Sequence, residues 1–427
     1  MLKESTIRDY ISILKEELLP ATGCTEPIAI AYCAAKLRAL LQDTPVRVIA
    51  AVSGNILKNV KSVVVPNTGG KKGIRPAIAA GMAAGDPEKD LQVIAHILPE
   101  QLPLLDEFLN TVQIDVLCAE TPCKLDIDLT AYSRQHSARV RITNHHTNVV
   151  RLEYDGKVLL DQPIVDTSEE HLTDKRCLNV ADILTFARET DLEELTPLLL
   201  RQVEQNSAIA EEGLKGAWGA QIGRILLEDY GEDIKQKAKA YAAAGSDARM
   251  SGCEMPVVIL SGSGNQGITA CMPVVVYARH IGATKEQLLR ALIVSDLITI
   301  HQKSGIGRLS AYCGAISAGV GAGAGICYLL GGDYRAVAHT VVNAVAILSG
   351  TICDGAKPSC AAKIAAAVDA GIMGYRMYLH HKEFQSGEGI VAENVDETIY
   401  NVGVLAAQGM QETDQTILRI MQDGQCM

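Results

Sequence analysis

Apolar residues recur at Ile7, Ile11, Leu14 and Leu18, the three-and-four spacing of a helix with one buried stripe, and predict a helix over residues 5–19 that ends at Pro20. A second helix is expected from near Pro27 to about Leu41, with proline near its first turn. The period then changes. Val46–Val52 and Val60–Val65 are β-branched runs, each meeting a turn-forming stretch (Ser53-Gly54-Asn55 and Asn67-Thr68-Gly69-Gly70), and both predict strands. Further strands are expected at 112–118, 124–129 and 138–143, and 148–160 predicts a hairpin turning at Asp155-Gly156. From Val180 onward the pattern is helical nearly to the end, with breaks at Gly245, Gly262-Ser263-Gly264, Gly305 and Gly355. The expected fold is α+β: a mixed α/β amino-terminal domain over residues 1–175, then an all-helical carboxy-terminal domain over residues 176–427 with buried Gly/Ala-rich helices.

Two apolar stretches, Leu309–Gly332 and Ala336–Thr351, invite comparison with membrane spans. Their Gly/Ala richness, the polar His339 and Asn343, and the lack of flanking basic clusters favour helices buried at the centre of a large domain. Composition agrees. Hydrophobic residues make up 48% of the 427 positions but aromatics only 4%, so the core must be built from Ala, Val, Ile and Leu, with 37 Gly allowing close helix contacts. A formal net charge of −11 with scattered basic residues points away from nucleic acid as a partner. Twelve cysteines are too sparse for a disulfide scaffold, and the first residues lack an apolar signal core. Both features favour a reducing cytoplasm, where thiols are free, catalytic or metal-bound.

Cys353-Asp354-Gly355-Ala356-Lys357-Pro358-Ser359-Cys360 is the most informative stretch. An apolar helix should end near Ile352, Gly355 and Pro358 stop it, and Ser359 is placed to cap the next helix. Cys360 then falls at that helix's first position, where unpaired N–H groups and the dipole favour negative charge. Cys313, 40 positions before Cys353, is expected about one turn into a Gly/Ala-rich helix, so one helix out and one back would return the two thiols to each other. Three thiolates from helix ends can hold a [4Fe–4S] cluster and leave one iron open as a Lewis acid. The competing reading is a helix–turn–helix with incidental buried thiols. Cys24, in Pro20-Ala21-Thr22-Gly23-Cys24-Thr25-Glu26-Pro27, precedes a helix start, where a thiol's pKa falls, or else belongs to a plain turn whose thiol faces inward. Thr25 and Glu26 beside it can cap the helix or bind polar groups. Ser261-Gly262-Ser263-Gly264-Asn265-Gln266-Gly267 is either a plain linker or a small-residue loop suited to a carboxylate ahead of a helix; it lacks the Lys-Ser/Thr of a nucleotide loop. His145-His146 lies between two predicted strands, so at most one of its rings aims at a site, and a hairpin turn competes. Cys426, near the end, is a tail thiol able to occupy an open iron, or part of an ordinary frayed terminus.

Taken together, PATGCTEP (20–27), SDARM (246–250), SGSGNQG (261–267), LSAYC (309–313) and CDGAKPSC (353–360) resemble the L-cysteine desulfidase family, the serine-dehydratase alpha-like iron–sulfur proteins. Shorter echoes stand at His146-Thr147-Asn148 and at 213–219 (GLKGAWG), and the pieces keep family order from residue 20 to about 360. The resemblance implies an oxygen-sensitive [4Fe–4S] cluster and conversion of L-cysteine and water to pyruvate, ammonia and sulfide. It implies cluster ligands among the late cysteines, taken as Cys313, Cys353 and Cys360, because the related iron–sulfur L-serine dehydratases have a comparable late trio. Cys24 then becomes the active-site thiolate and base; the alternative makes Cys24 a ligand and frees Cys360. The candidate substrate-binding set is Thr25, Glu26, Asn55, His146, Ser263, Asn265 and Gln266. The expected partner is a small amino acid, with no nucleic acid and no membrane, and self-association into a homo-oligomer stays open. An iron–sulfur L-serine dehydratase or other amino-acid ammonia-lyase, and a nonenzymatic amino-acid or cluster sensor, are the rival functions.

Overall fold

The computed structural model describes residues 2–22, 25–166, 172–231, 233–307 and 310–423. The fold is α+β as expected, and the chain divides into two compact units. One comprises Gly23–His171, Asp354–Lys357 and Thr416–Met427; the other comprises Met1–Thr22, Leu172–Cys353 and Pro358–Gln415. The division is not a single cut: the first helix, α1 (Glu4–Glu17), and the short strand β1 (Pro20–Thr22) group with the later, helical part of the chain.

The sheet unit contains α2 (Thr25–Leu41), β2 (Arg47–Val52), α3 (Gly54–Val60), α4 (Ile74–Ala84), α5 (Leu102–Thr111) and the strands β3 (Gln113–Cys118), β4 (Asp126–Tyr132), β5 (Ser137–Thr143), β6 (Val149–Tyr154) and β7 (Lys157–Asp161). The strands form one sheet in the order β3-β2-β4-β5-β6-β7, parallel only between β2 and β3. Side chains alternate between faces along each strand, so Val48, Ala50, Ile127, Leu129, Val140 and Ile142 join the buried core with α2 and α4. Gly81 lets α4 close on α2, since a Cβ there would stand 2.1 Å from the Ala31 carbonyl oxygen. Arg139 and Arg141 grip Asp128 and Asp126 with paired bonds of 2.9 and 2.6 Å each, a cross-strand ladder of charge.

The strand expected at Val60–Val65 does not form. Ser53 caps a helix instead of making a turn: its Oγ accepts the Ile56 N–H at 3.4 Å, and the chain winds as α3 through Val60. Burial of Ile56, Leu57 and Val60 outweighs the β-branched preference. Beyond it only Val64 pairs, in an isolated bridge with Lys72. The expected hairpin forms as β6 and β7, with Asp155 and Gly156 at the left-handed turn.

The helical unit continues with α6 (Val180–Glu189), α7 (Thr196–Lys215), α8 (Ile222–Tyr230), α9 (Ile234–Met250), β8 (Pro256–Val258), α10 (Gly264–Ile281), α11 (Lys285–Ile306), α12 (Gly314–Leu329), α13 (Tyr334–Leu348), α14 (Cys360–Leu379) and α15 (Val395–Val404); the last helix, α16 (Gln411–Asp423), groups with the sheet unit from Thr416 onward. Strand β8 pairs antiparallel with β1. Gly245 does not break the chain but lies inside α9, where a Cβ would meet Ile268 of α10 at 2.9 Å. The helix expected to end near Ile352 stops at Leu348. Among the described residues no helix is long and apolar enough to cross a membrane.

Helix α12 is buried almost throughout, and its glycines fix how its neighbours run. A Cβ on Gly319 would meet Ala367 at 2.4 Å, and one on Gly323 would meet Gly371 at 2.6 Å. Both partners advance four residues together, so α12 and α14 run parallel and begin at the same end. Gly314 against Gln266 and Gly325 against Val274 give the same result for α10. Gly323→Val is expected to overpack this crossing and destabilise the protein by roughly 1–3 kcal/mol. The check is a lowered thermal midpoint; an unchanged one would show that the helices can slide apart without loss.

Candidate functional site

The parallel start of α10, α12 and α14 collects three helix N-termini in the helical unit. Cys313 is the N-cap residue of α12, not a turn inside it as expected, and Cys360 opens α14. Ser359 holds the N-cap position of α14, but its side chain makes no capping bond, contrary to expectation. Cys353 arrives by a separate device. Tyr312 and Ile352 form an antiparallel bridge; the Cys313 N–H donates to the Thr351 carbonyl at 2.9 Å, and the Cys353 N–H donates to Ala311 at 2.5 Å. This draws Cys353 alongside Cys313.

The thiols feel one another. Cys313 is buried, while Cys353 and Cys360 are half-buried. The Cys313 thiol is pushed well above the usual range, first by its hydrogen bond with Cys353, then by burial and by the charges of Cys353 and Cys360. Thiolates crowded this way repel, and a cationic centre among them reverses the sign. Three thiols beside helix N-termini are therefore a donor set that fits an iron–sulfur cluster. A cluster takes each thiolate on a different iron, so its ligands stand farther apart than those around one ion. Among the described residues, no group of three or more His, Cys, Asp or Glu is gathered tightly enough for a single metal ion.

Beside the thiols lies the SGSGNQG segment. Ser261 and Gly262 take left-handed backbone angles, and the turn closes by mutual backbone bonds between Leu260 and Ser263 at 3.0 and 3.1 Å. Ser263 then caps α10, its Oγ accepting the Gln266 N–H at 3.5 Å. The Gln266 amide lies against Gly314, the residue after Cys313, where a Cβ would stand 2.7 Å from it. Ser263, Asn265 and Gln266 are thus brought to the same end of the helices as Cys313.

Helix α9 runs antiparallel to α10, which delivers its C-terminal turn here as well. The Arg249 guanidinium crosses Gly264 and donates to the Asn265 side-chain oxygen at 3.4 Å. The same end of α9 carries further buried polar groups: the Ser246 Oγ and the Asp247 Oδ1 have no hydrogen-bond partner. Burial raises Asp247 to about 6, against the opposing pull of the backbone N–H groups of Gly223, Ile222 and Ala220. Neither Arg249 nor Asp247 was among the sequence candidates, although both lie in the SDARM stretch. A charged pair in an otherwise Ala-rich helix was the available signal.

The remaining candidates gather in the sheet unit. Thr25 donates to Glu26 at 3.4 Å, and Asn59 donates to Glu26 at 3.4 Å and to Asn55 at 3.0 Å. His146 stands in the turn after β5, its pKa lowered by burial and by His145, with the Glu26 charge opposing. Thr25, Glu26, Asn55 and His146 therefore form one polar cluster, to which Asn59 is an addition the sequence did not suggest. Cys24 and Cys426 lie outside the described residues.

A model of the serine dehydratase alpha chain matches residues 88–419. The chain is similar over nearly its whole length to UPF0597 proteins. That of Desulfitobacterium hafniense is 53% identical over 412 residues, 96% of each chain. Those of Lachnoclostridium phytofermentans and Treponema denticola are 48% and 44% identical, covering 97% and 98% of this chain and 99% of each relative.

Proposed function

The chain belongs to the serine dehydratase alpha chain family, and from that premise we propose that it is an iron–sulfur-dependent lyase that converts L-cysteine to pyruvate, ammonia and sulfide. One observation carries this: thiols 40 and 47 positions apart from Cys313 in sequence meet at the shared start of parallel helices, beside a polar segment suited to an amino acid's carboxylate. Cys313, Cys353 and Cys360 are the proposed ligands. When bound, a [4Fe–4S] cluster held by three thiolates keeps one iron without a protein ligand and supplies a Lewis acid.

The chain's own part is to bind, orient and move a proton. The first turn of α10 holds the substrate's carboxylate. A base takes the proton from Cα, and the Cys24 thiolate is our candidate. The electron pair left at Cα forms the Cα–Cβ double bond, and sulfur leaves from Cβ as sulfide. The aminoacrylate product takes up a proton, and water hydrolyses the resulting imine to pyruvate and ammonia. The thiols this requires call for a reducing compartment such as the cytoplasm.

L-serine is the second reading, favoured by the family description, because the same proton removal with hydroxide leaving gives the same aminoacrylate. The test is anaerobic reconstitution, iron and acid-labile sulfide analysis, and pyruvate measured with L-cysteine and L-serine side by side. Faster turnover of L-cysteine is expected, with sulfide equal to pyruvate. Cluster-loaded protein that forms pyruvate from neither amino acid would sink the lyase proposal. Cys24→Ser is expected to keep its iron and lose most turnover; full turnover would remove Cys24 as the base.

A further inference from the structure

The end of α10 that faces Arg249 is electrostatically unfinished. The N–H groups of Gly264 and Asn265 are the first two of an 18-residue helix and have no acceptor among the described residues. Over them lies a guanidinium whose Nε is buried without a partner and whose one bond, to Asn265, is long at 3.4 Å. Among the described residues Arg249 pairs with no carboxylate. Positive groups facing a positive helix end repel unless an anion sits between them. Next to this lies Gln266, 6% exposed, with its Oε1 buried and unpartnered against Gly314. A lone buried acceptor beside an anion site suits a cationic donor.

We propose that Arg249 and the first turn of α10 clamp the α-carboxylate of the substrate while the Gln266 side-chain oxygen accepts from its ammonium group, so that the site admits zwitterionic α-amino acids and rejects simple amines and acids. This deepens the lyase proposal and rests on it for the substrate's identity. Arg249 is a substrate-binding residue, and its planar fork is what matches a carboxylate.

Calorimetric titration of the full chain with L-alanine, which carries no leaving group, tests the clamp apart from the chemistry. L-alanine is expected to bind, and ethylamine and propionate, each lacking one charged group, to bind at least about tenfold more weakly. Arg249→Gln should weaken L-alanine about 10- to 100-fold, and Arg249→Lys less, with its charge kept and its fork lost. Circular dichroism checks that each variant is folded, and the wild-type comparison of the three ligands stands even if a variant is not. Ethylamine binding as tightly as L-alanine, or a folded Arg249→Gln with unaltered affinity, overturns the clamp. Pyruvate formation separates the two proposals: binding through Arg249 without any pyruvate leaves the clamp standing and the lyase fallen, and turnover with a KM untouched by Arg249→Gln does the reverse.

Discussion

Replacing Cys313, Cys353 or Cys360 singly by serine is expected to cut lyase turnover by at least about 100-fold and to deplete iron and sulfide in the reconstituted protein. Loss of a partner outside the ligand set already costs 10- to 100-fold in metal sites, and loss of a ligand costs more. The three positions should not fail identically. Cys313 and Cys353 are joined through the Tyr312–Ile352 bridge, and their thiols share a hydrogen bond. Cys360 instead opens α14, at the end where that helix meets α12. A serine hydroxyl at Cys313 keeps the backbone bridge but removes the most buried donor. Cys327, at the far end of α12, is the internal control: Cys327→Ser should retain iron and activity. Full iron content in any of the three variants would remove that cysteine from the ligand set, and in all three would dissolve the metal centre. The alternative set, with Cys24 as ligand and Cys360 free, is decided in the same experiment by which variant loses iron.

The second large effect concerns stability. Asp296 lies in α11 with no exposure; the Gln202 amide donates to its Oδ1 at 2.9 Å. Its Oδ2 and the Gln202 Oε1 both lack a partner. A protonated Oδ2 could donate to that amide oxygen and satisfy both. Burial raises Asp296 to about 7, with the Gln202 bond pulling the other way. In the unfolded chain an aspartate titrates near 3.9. Between these values the folded protein holds a proton that the unfolded chain has released, so stability falls as pH rises from about 4 through about 7 and then levels off. At pH 8 the cost is at most about 4 kcal/mol. Asp296→Asn keeps the shape, can donate to Gln202, and has no proton to lose. It is expected to raise the denaturation midpoint at pH 8 and leave it little changed at pH 4. Asp247, also raised, contributes a slope of the same sign in both proteins, so the difference between them isolates Asp296. Equal pH profiles for the two would mean that Asp296 is charged when folded and is compensated in another way.

Several elements were readable locally. The amphipathic stripe of α1, the alternation in β4 and β5, and the Asp155-Gly156 hairpin follow from spacing alone, because each needs only neighbours a few residues away. Val60–Val65 misled because a strand signal must compete with a cap, and Ser53 wins by satisfying an otherwise orphaned N–H. Gly245 misled because glycine marks close approach as often as a break. Which role it takes depends on Ile268, 23 positions away.

Short-range pattern was therefore enough for the α+β class, for a core of small aliphatic residues, and for thiols near helix ends. Their meeting was decided elsewhere. Glycines in α12 set that helix parallel to α14, and one bridge between Tyr312 and Ile352 brings in the third cysteine. The same packing lays Arg249 over Gly264, a contact set by which segment α9 packs against and not by the sequence of α9 itself. Helix periodicity records which face is buried, but the partner and direction of packing arise from backbone-to-backbone fit between segments far apart in the chain.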